Sequence, residues 1–255
     1  MYSSNVPGLR FAIYFEPEGE TLIRLKGLNY RLYSRIINAI SKVDEKLATE
    51  VHELGTKPFT FSRLMPIDKE IRRNRSLRVT RKNGEPYLRF SVPFVMYFGS
   101  MVEKVTNAFI NGLIDAPPPF NARVIKIMPK VIPSKSSGIL KTLSPIYIPK
   151  SDPSDKIFWN RIVELLKTRI KLFRNVTRFP SEDPIFRPIV NVNRGRVPRR
   201  EVVQVMYEPN KKFSLEARSM RIYYSGPELY LRAALLGGLG YRTHYGLGYV
   251  NLISK

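Results

Sequence analysis

Five glycines, Gly237, Gly238, Gly240, Gly246 and Gly248, fall within twelve consecutive positions near the C-terminus, out of 15 in the whole chain. Glycine reaches φ > 0 without steric cost and lets a backbone come close to bulky groups. The segment therefore reads as a tight loop, carrying Arg242 and His244, between a short helix from Pro227 to Leu236 and a last strand from Tyr249 to Ile253. Backbone of this kind is expected to cradle an anionic chain. It is unlike the glycine loop of a dinucleotide fold, which leaves a strand and opens a helix; this one leaves a helix and precedes a strand.

The charge balance names the anion to expect. Lys and Arg total 43 against 21 Asp and Glu, a formal net charge of +22. Such a field serves nucleic acid, acidic lipid or acidic protein. The 14 Tyr and 14 Phe favour nucleic acid, since aromatic faces stack on unpaired bases while cations neutralise phosphates. No cysteine is present, which removes thiolate nucleophiles, disulfides and zinc–thiolate sites, and with His52 and His244 the only histidines no metal or other cofactor is expected. No apolar window approaches a membrane span, no leader-like segment opens the chain, and no helix sets a bulky apolar face against a purely basic one, so no membrane partner is expected.

With 255 residues and 43% hydrophobic content, the chain suits two domains. Leu9 to Phe15 alternates as a first strand; Leu28, Leu32, Ile36 and Ile40 mark one face of a helix; Asp44 caps a short helix, Glu45 to Glu53, that ends at Gly55. Phe59 to Met65 reads as a strand. Arg75 to Arg81 and Pro86 to Val92 flank Asn83-Gly84, the dipeptide of a type I′ hairpin. Phe98, Met101, Val102, Val105, Phe109 and Leu113 predict a long helix over Phe94 to Leu113, followed by a strand from Arg123 to Ile132. The order β-α-β-β-α-β describes a ferredoxin-like unit, the topology RNA-recognition modules also use. Pro133 to Gly138 has linker composition, which divides the chain into residues 1–133 and 139–255. The second part repeats the pattern more loosely: a strand from Ile139 to Ile148, a helix from Asp155 to Arg174, strands near Ile185–Asn191, Glu201–Tyr207 and Phe213–Tyr224, then the helix, loop and last strand described above. The expected fold class is α+β, two tandem ferredoxin-like domains with the second less regular.

Gly237-Gly-Leu-Gly240 through Gly246-Leu-Gly248 resembles the signature of the CRISPR-associated repeat-RNA processing endoribonucleases, the "Cas-six" family of the RAMP superfamily. Lys46 to Glu53 with Lys57 and Phe59-Thr-Phe-Ser62 is similar to that family's helix-to-strand segment, and Thr142-Leu-Ser-Pro-Ile146 to the motif opening its second domain. The resemblance implies metal-independent cleavage of precursor transcripts within each CRISPR repeat, with the RNA 2′-OH as nucleophile, leaving a 2′,3′-cyclic phosphate and a 5′-OH. It implies precursor and processed guide RNA as partners in a prokaryotic cytoplasm, and leaves an effector complex and a homodimer open.

Such chemistry needs a proton acceptor, a proton donor and cations for the crowded phosphate, and no carboxylate cluster. His52 matches the family's catalytic histidine, and an unperturbed imidazole exchanges protons near neutral pH. Lys57 is the candidate to neutralise the scissile phosphate, with Lys26 as a further cation. Some members use a tyrosine in the first helix where this chain has Ile36-Ile37; Tyr30 and Tyr33 lie one to two turns away. Candidate RNA contacts are Arg72, Arg73, Arg75 and Arg78 around the hairpin, Arg194, Arg196, Arg199 and Arg200 in a basic segment, and Gly238, Gly240, Arg242, His244, Gly246 and Gly248 in the glycine loop. The competing reading is a non-catalytic RNA-binding RAMP subunit of an effector complex, which would need the same fold and charge but not His52 with Lys57.

Overall fold

A computed structural model describes residues 8–73, 78–116, 120–174, 176, 178–190, 198–208 and 211–253, with backbone alone at 72, 73, 204–208 and 211–213. Arg75, Arg194 and Arg196 lie outside the described residues, as do the side chains of Arg72 and Arg73.

The first half is built on β1 (Leu9–Pro17), where Ile13 and Phe15 turn toward the helices and Ala12 and Tyr14 the other way. After β2 (Thr21–Arg24), Gly27 at φ 70° opens α1 (Leu28–Val43), whose buried stripe is Leu28, Leu32, Ile36, Ala39 and Ile40. The Asp44 side chain accepts from Leu47 N at 2.8 Å and caps α2 (Glu45–Glu53). Then come β3 (Phe59–Phe61), β4 (Met65–Pro66), α3 (Lys69–Arg73), β5 (Val79–Lys82), β6 (Glu85–Phe90), β7 (Phe94–Ser100), α4 (Glu103–Gly112) and β8 (Ala122–Pro129). The main sheet runs β3-β7-β1-β8, all antiparallel, with β4 added alongside β7.

One prediction fails here. The expected helix over Phe94–Leu113 is two elements: β7 at the centre of the sheet, then α4. β7 has a helix-covered face and a second face closed by the end of α6 (Glu228–Gly237), where a Cβ on Gly99 would meet Leu236 O at 3.1 Å. A strand buried on both sides loses its alternation, and its apolar run merges with the helical spacing of α4. The hairpin forms at Asn83-Gly84 with φ 52° and 76°, but β5 and β6 join β2 in a separate three-stranded sheet instead of supplying a strand to the main one.

In the second half β9 (Ser137–Thr142), α5 (Lys156–Arg174), β10 (Ile185–Pro188), β13 (Arg221–Ser225), α6 and β14 (Val250–Ile253) repeat the order, with sheet β10-β13-β9-β14. The strand expected to Ile148 stops at Thr142, before Pro145. The one expected over Phe213–Tyr224 divides at Met220 into β12 (Lys211–Ser219) and β13. β11 (Arg199–Glu208) and β12 form a two-stranded ribbon between the equivalents of strands two and three. The result is two tandem ferredoxin-like units with insertions. They are not packed independently: Val203, Leu215 and Ala217 of the ribbon and Tyr245 and Leu247 of the glycine loop belong to the core of the first unit. Among the described residues no helix is long and apolar enough to cross a membrane.

Candidate active site where the glycine loop meets the first unit

α2 buries Leu47, Ala48 and Val51 and leaves His52 exposed in its last turn. The chain turns at Gly55 and returns, so that Lys57 Nζ donates to the carbonyl oxygens of His52 and Leu54, two of the groups a helix C-terminus leaves unpaired. Lys57 is buried, and that burial holds its ammonium pKa below the ordinary lysine value. From α1, Tyr33 reaches the same place. Its phenol oxygen lies 3.1 Å from His52 Nδ1, in a pocket that also raises the phenol pKa to about 12, first through burial and then through neighbouring Tyr245 and Tyr30. Tyr33 thus stays protonated and fixes one nitrogen of the exposed imidazole, leaving Nε2 for proton transfer.

The third side comes from the glycine loop. Arg169, on the inward stripe of α5 with Ile162, Leu166 and Ile170, donates to Gly238 O and Gly240 O at 2.7 Å each and to Thr243 Oγ1 at 3.3 Å. Tyr241 N donates to Tyr147 O and Gly248 N to Pro145 O, which explains why Thr142–Ile146 accompanies the glycine motif. So anchored, a short 3-10 turn (Thr243–Tyr245) lies against β3 and α1, with His244 and Tyr245 in edge-to-face contact with Tyr33 at ring separations of 5.4 and 5.7 Å.

His244 is 9% exposed and its pKa is pushed down to about 3, chiefly by burial and further by the nearby charges of Lys57, Arg242 and Arg169. A base whose folded pKa falls below its unfolded value of ~6.5 contributes stability that is complete above that value and is lost as pH falls toward 3. About 1.4 kcal/mol per pH unit is lost in that window. The expected outcome is a steeper fall in melting temperature between pH 6 and pH 4 for the native chain than for His244→Phe, which cannot protonate, read by thermal melts across that range.

The structure brings together His52, Lys57, His244 and, on the exposed rim, Arg242 at φ 58°. It does not bring Lys26 in: that ammonium sits 3.6 Å from Glu85, beside the Arg24–Glu85 pair. Gly238, Gly240, Gly246 and Gly248 are buried and face protein. A Cβ would meet Tyr147 O at 2.6 Å from Gly240, the Phe61 ring at 2.7 Å from Gly246 and Leu239 O at 1.8 Å from Gly248. Those glycines shape the loop, whose exposed side chains are Tyr241 and Arg242, with His244 mostly buried behind them. Arg78 is half-buried at the start of the hairpin, Arg199 is exposed, and Arg200 pairs with Glu216 across the ribbon. Tyr33 is one of the two tyrosines, with Tyr30, that the sequence offers near the family's tyrosine position; Arg169 is not singled out by the sequence. For Arg169 a signal existed, since it is the basic residue of α5 that falls on the apolar stripe. On the face of the first sheet away from its helices, Tyr14 stands directly opposite exposed Lys126, an aromatic and a cation side by side.

The family model for the Cas6 N-terminal domain matches residues 26–128, and that for the Cas6 C-terminal domain residues 127–252. The CRISPR-associated endoribonuclease Cas6 of Pyrococcus furiosus is 31% identical over 150 residues, 55% of this chain and 52% of that protein, so the chain spans about half the length of this relative. Among solved structures, a Cas6-related protein of Pyrococcus furiosus superposes with a TM-score of 0.76 at 18% identity, over 98% of this chain and all of the other. A RAMP protein described as binding different RNA substrates superposes at 0.74, again at 18% identity, over 96% of this chain and 100% of its own. The structural likenesses establish the fold, and the two domain models, in order along nearly the whole chain, establish the lineage: the chain belongs to the CRISPR-associated Cas6 family.

Proposed function

We propose that the chain is an endoribonuclease that binds CRISPR repeat RNA and cuts precursor transcripts within each repeat without a metal ion. The observation that carries this reading is the Tyr33–His52 pair: the exposed imidazole of His52, which resembles the family's catalytic histidine in position, is held at 3.1 Å by the Tyr33 phenol. The Pyrococcus relative bears the name of an endoribonuclease, and the +22 charge suits RNA. In the reaction the 2′-oxygen bonds to phosphorus and the P–O5′ bond breaks. The 2′-OH loses its proton to a base and the departing 5′-oxygen gains one from an acid, so the products are a 2′,3′-cyclic phosphate and a 5′-OH with no net change in protons. His52 Nε2 exchanges one of those protons, and Tyr33 holds the ring in place. Lys57 serves first to close the end of α2 beneath His52, because its ammonium is already bonded to two carbonyl oxygens.

The test uses purified protein in excess EDTA with repeat RNA and with the same RNA bearing one 2′-deoxy sugar at the junction. Cleavage of the first alone, with a cyclic phosphate end, is expected. Tight binding with no cleavage of either RNA overturns the reading in favour of a non-catalytic RNA-binding RAMP subunit.

A further inference from the structure

We propose that His244 seats the scissile phosphodiester, its ring N–H donating to a non-bridging oxygen while His52 handles the protons. The proposal rests on the ribonuclease reading above and extends it to a residue that reading does not use.

Three observations support it. His244 is about nine-tenths buried, its ring forms no hydrogen bond with any described residue, and its nitrogens are not among the fully buried polar atoms, so the polar edge of the ring still reaches solvent. A ring held in place with an unpaired polar edge open to solvent can donate to a ligand atom without giving up an internal hydrogen bond. Second, every charged group acting on the ring is a cation: Lys57 from the turn after α2, Arg242 from the loop and Arg169 from α5. The Lys57 ammonium and both terminal nitrogens of the Arg169 guanidinium are bonded to backbone carbonyls, so these groups lend positive field to the ring from fixed positions. A field of one sign around a vacant donor suits a phosphate oxygen. Third, the ring is one phenol away from the proton-transfer group, since Tyr33 touches the His244 ring at 5.4 Å and the His52 nitrogen at 3.1 Å. Four glycines and Arg169 fix the turn that carries it, which is the preorganisation that charge stabilisation of a transition state needs. Uncharged at neutral pH, the imidazole acts as a hydrogen-bond donor and not as an acid or base.

The discriminating variant is His244→Phe, which keeps the ring against Tyr33 and removes the nitrogens. The expected result is a fall in kcat of about 10²-fold, typical for loss of one donor to a developing oxyanion, with KM changed only a few-fold and melting temperature at neutral pH equal to or above native. His244→Gln, which restores an N–H, recovers part of the rate, and the pH–rate profile keeps its shape in both because the uncharged His244 ring takes no part in proton transfer. Native kcat in His244→Phe overturns the proposal. A second measurement stands apart from cleavage. With only two histidines in the chain, their ring C–H signals are separable by proton NMR and assigned with His52→Ala. Inorganic phosphate added at pH 6 is expected to move the His244 signal, and an unmoved signal overturns the seat. If the native chain cuts no RNA, the ribonuclease reading fails and the word scissile with it, and the phosphate titration alone decides whether His244 holds an anion.

Discussion

His52→Ala lowers the single-turnover cleavage rate about 10²- to 10⁴-fold, the usual contribution of a positioned acid or base, while RNA affinity and melting temperature stay near native. The separation follows from where the residue sits. α2 is held to the core through Leu47, Ala48 and Val51, and its end is closed by Lys57 bonding to the backbone carbonyl of residue 52, which alanine retains. Exposed His52 adds little packing, so its removal costs within about 0.5 kcal/mol. Tyr33→Phe is the companion variant. It keeps the stacking with Phe59 at 6.2 Å and the contacts with His244 and Tyr245, and deletes the hydroxyl that fixes Nδ1. Its rate falls about tenfold, less than for His52→Ala, since the imidazole remains but turns more freely. Quenched time courses with labelled repeat RNA, beside filter binding of the 2′-deoxy substrate, read both effects. A native rate in His52→Ala removes proton transfer by this residue from the mechanism.

How much of this was legible beforehand depends on whether the information was local. The helices were visible because each buries one stripe: Leu28, Leu32, Ile36 and Ile40 mark α1, and α2 runs over the expected Glu45–Glu53. Asn83-Gly84 declared its turn because both residues needed positive φ. The pair His52 and Lys57 was also within reach, being five positions apart across one turn. β7 was not, because burial on both faces erased its period. Nor was the partner of the hairpin, β2, since which strand lies beside β6 is decided by the sheet and not by either sequence. Tyr33, His52 and His244 meet from positions far apart in the chain, and nothing local joins them until α1, α2 and the loop are packed. The glycines show the limit most sharply. Their sequence announces positive φ, but whether a ligand or the protein's own atoms occupy the space they open is a tertiary fact, and here it is the carbonyls of Leu239 and Tyr147 and the ring of Phe61.

That fact sets up the largest stability effect expected of a single methyl group in this chain. At Gly248 φ is +67°, and an added Cβ would lie 1.8 Å from Leu239 O. The two chains are tied at that point, because Leu239 N donates to Gly248 O at 2.9 Å and Gly248 N donates to Pro145 O at 2.8 Å. Both clashing atoms are fixed to backbone, so no rotamer relieves the overlap. Gly248→Ala must break those bonds and part the loop, or remain unfolded there. Left-handed backbone alone costs an alanine about 1–2 kcal/mol, and loss of the two buried hydrogen bonds adds about 1–3 kcal/mol for each group left unpaired. The expected total is above about 4 kcal/mol, which lowers the melting temperature by about 10 °C or more in a chain of this size. Gly84→Ala isolates the first of these costs: its φ is +76° but nothing lies within 4 Å of the added carbon, so it loses only about 1–2 kcal/mol. Melts of the two variants beside the native chain separate backbone conformation from close approach. Equal losses would mean that the glycine loop yields without cost, and then neither the placement of the Thr243–Tyr245 turn nor the contact of His244 with Tyr33 would be held by the glycines at all.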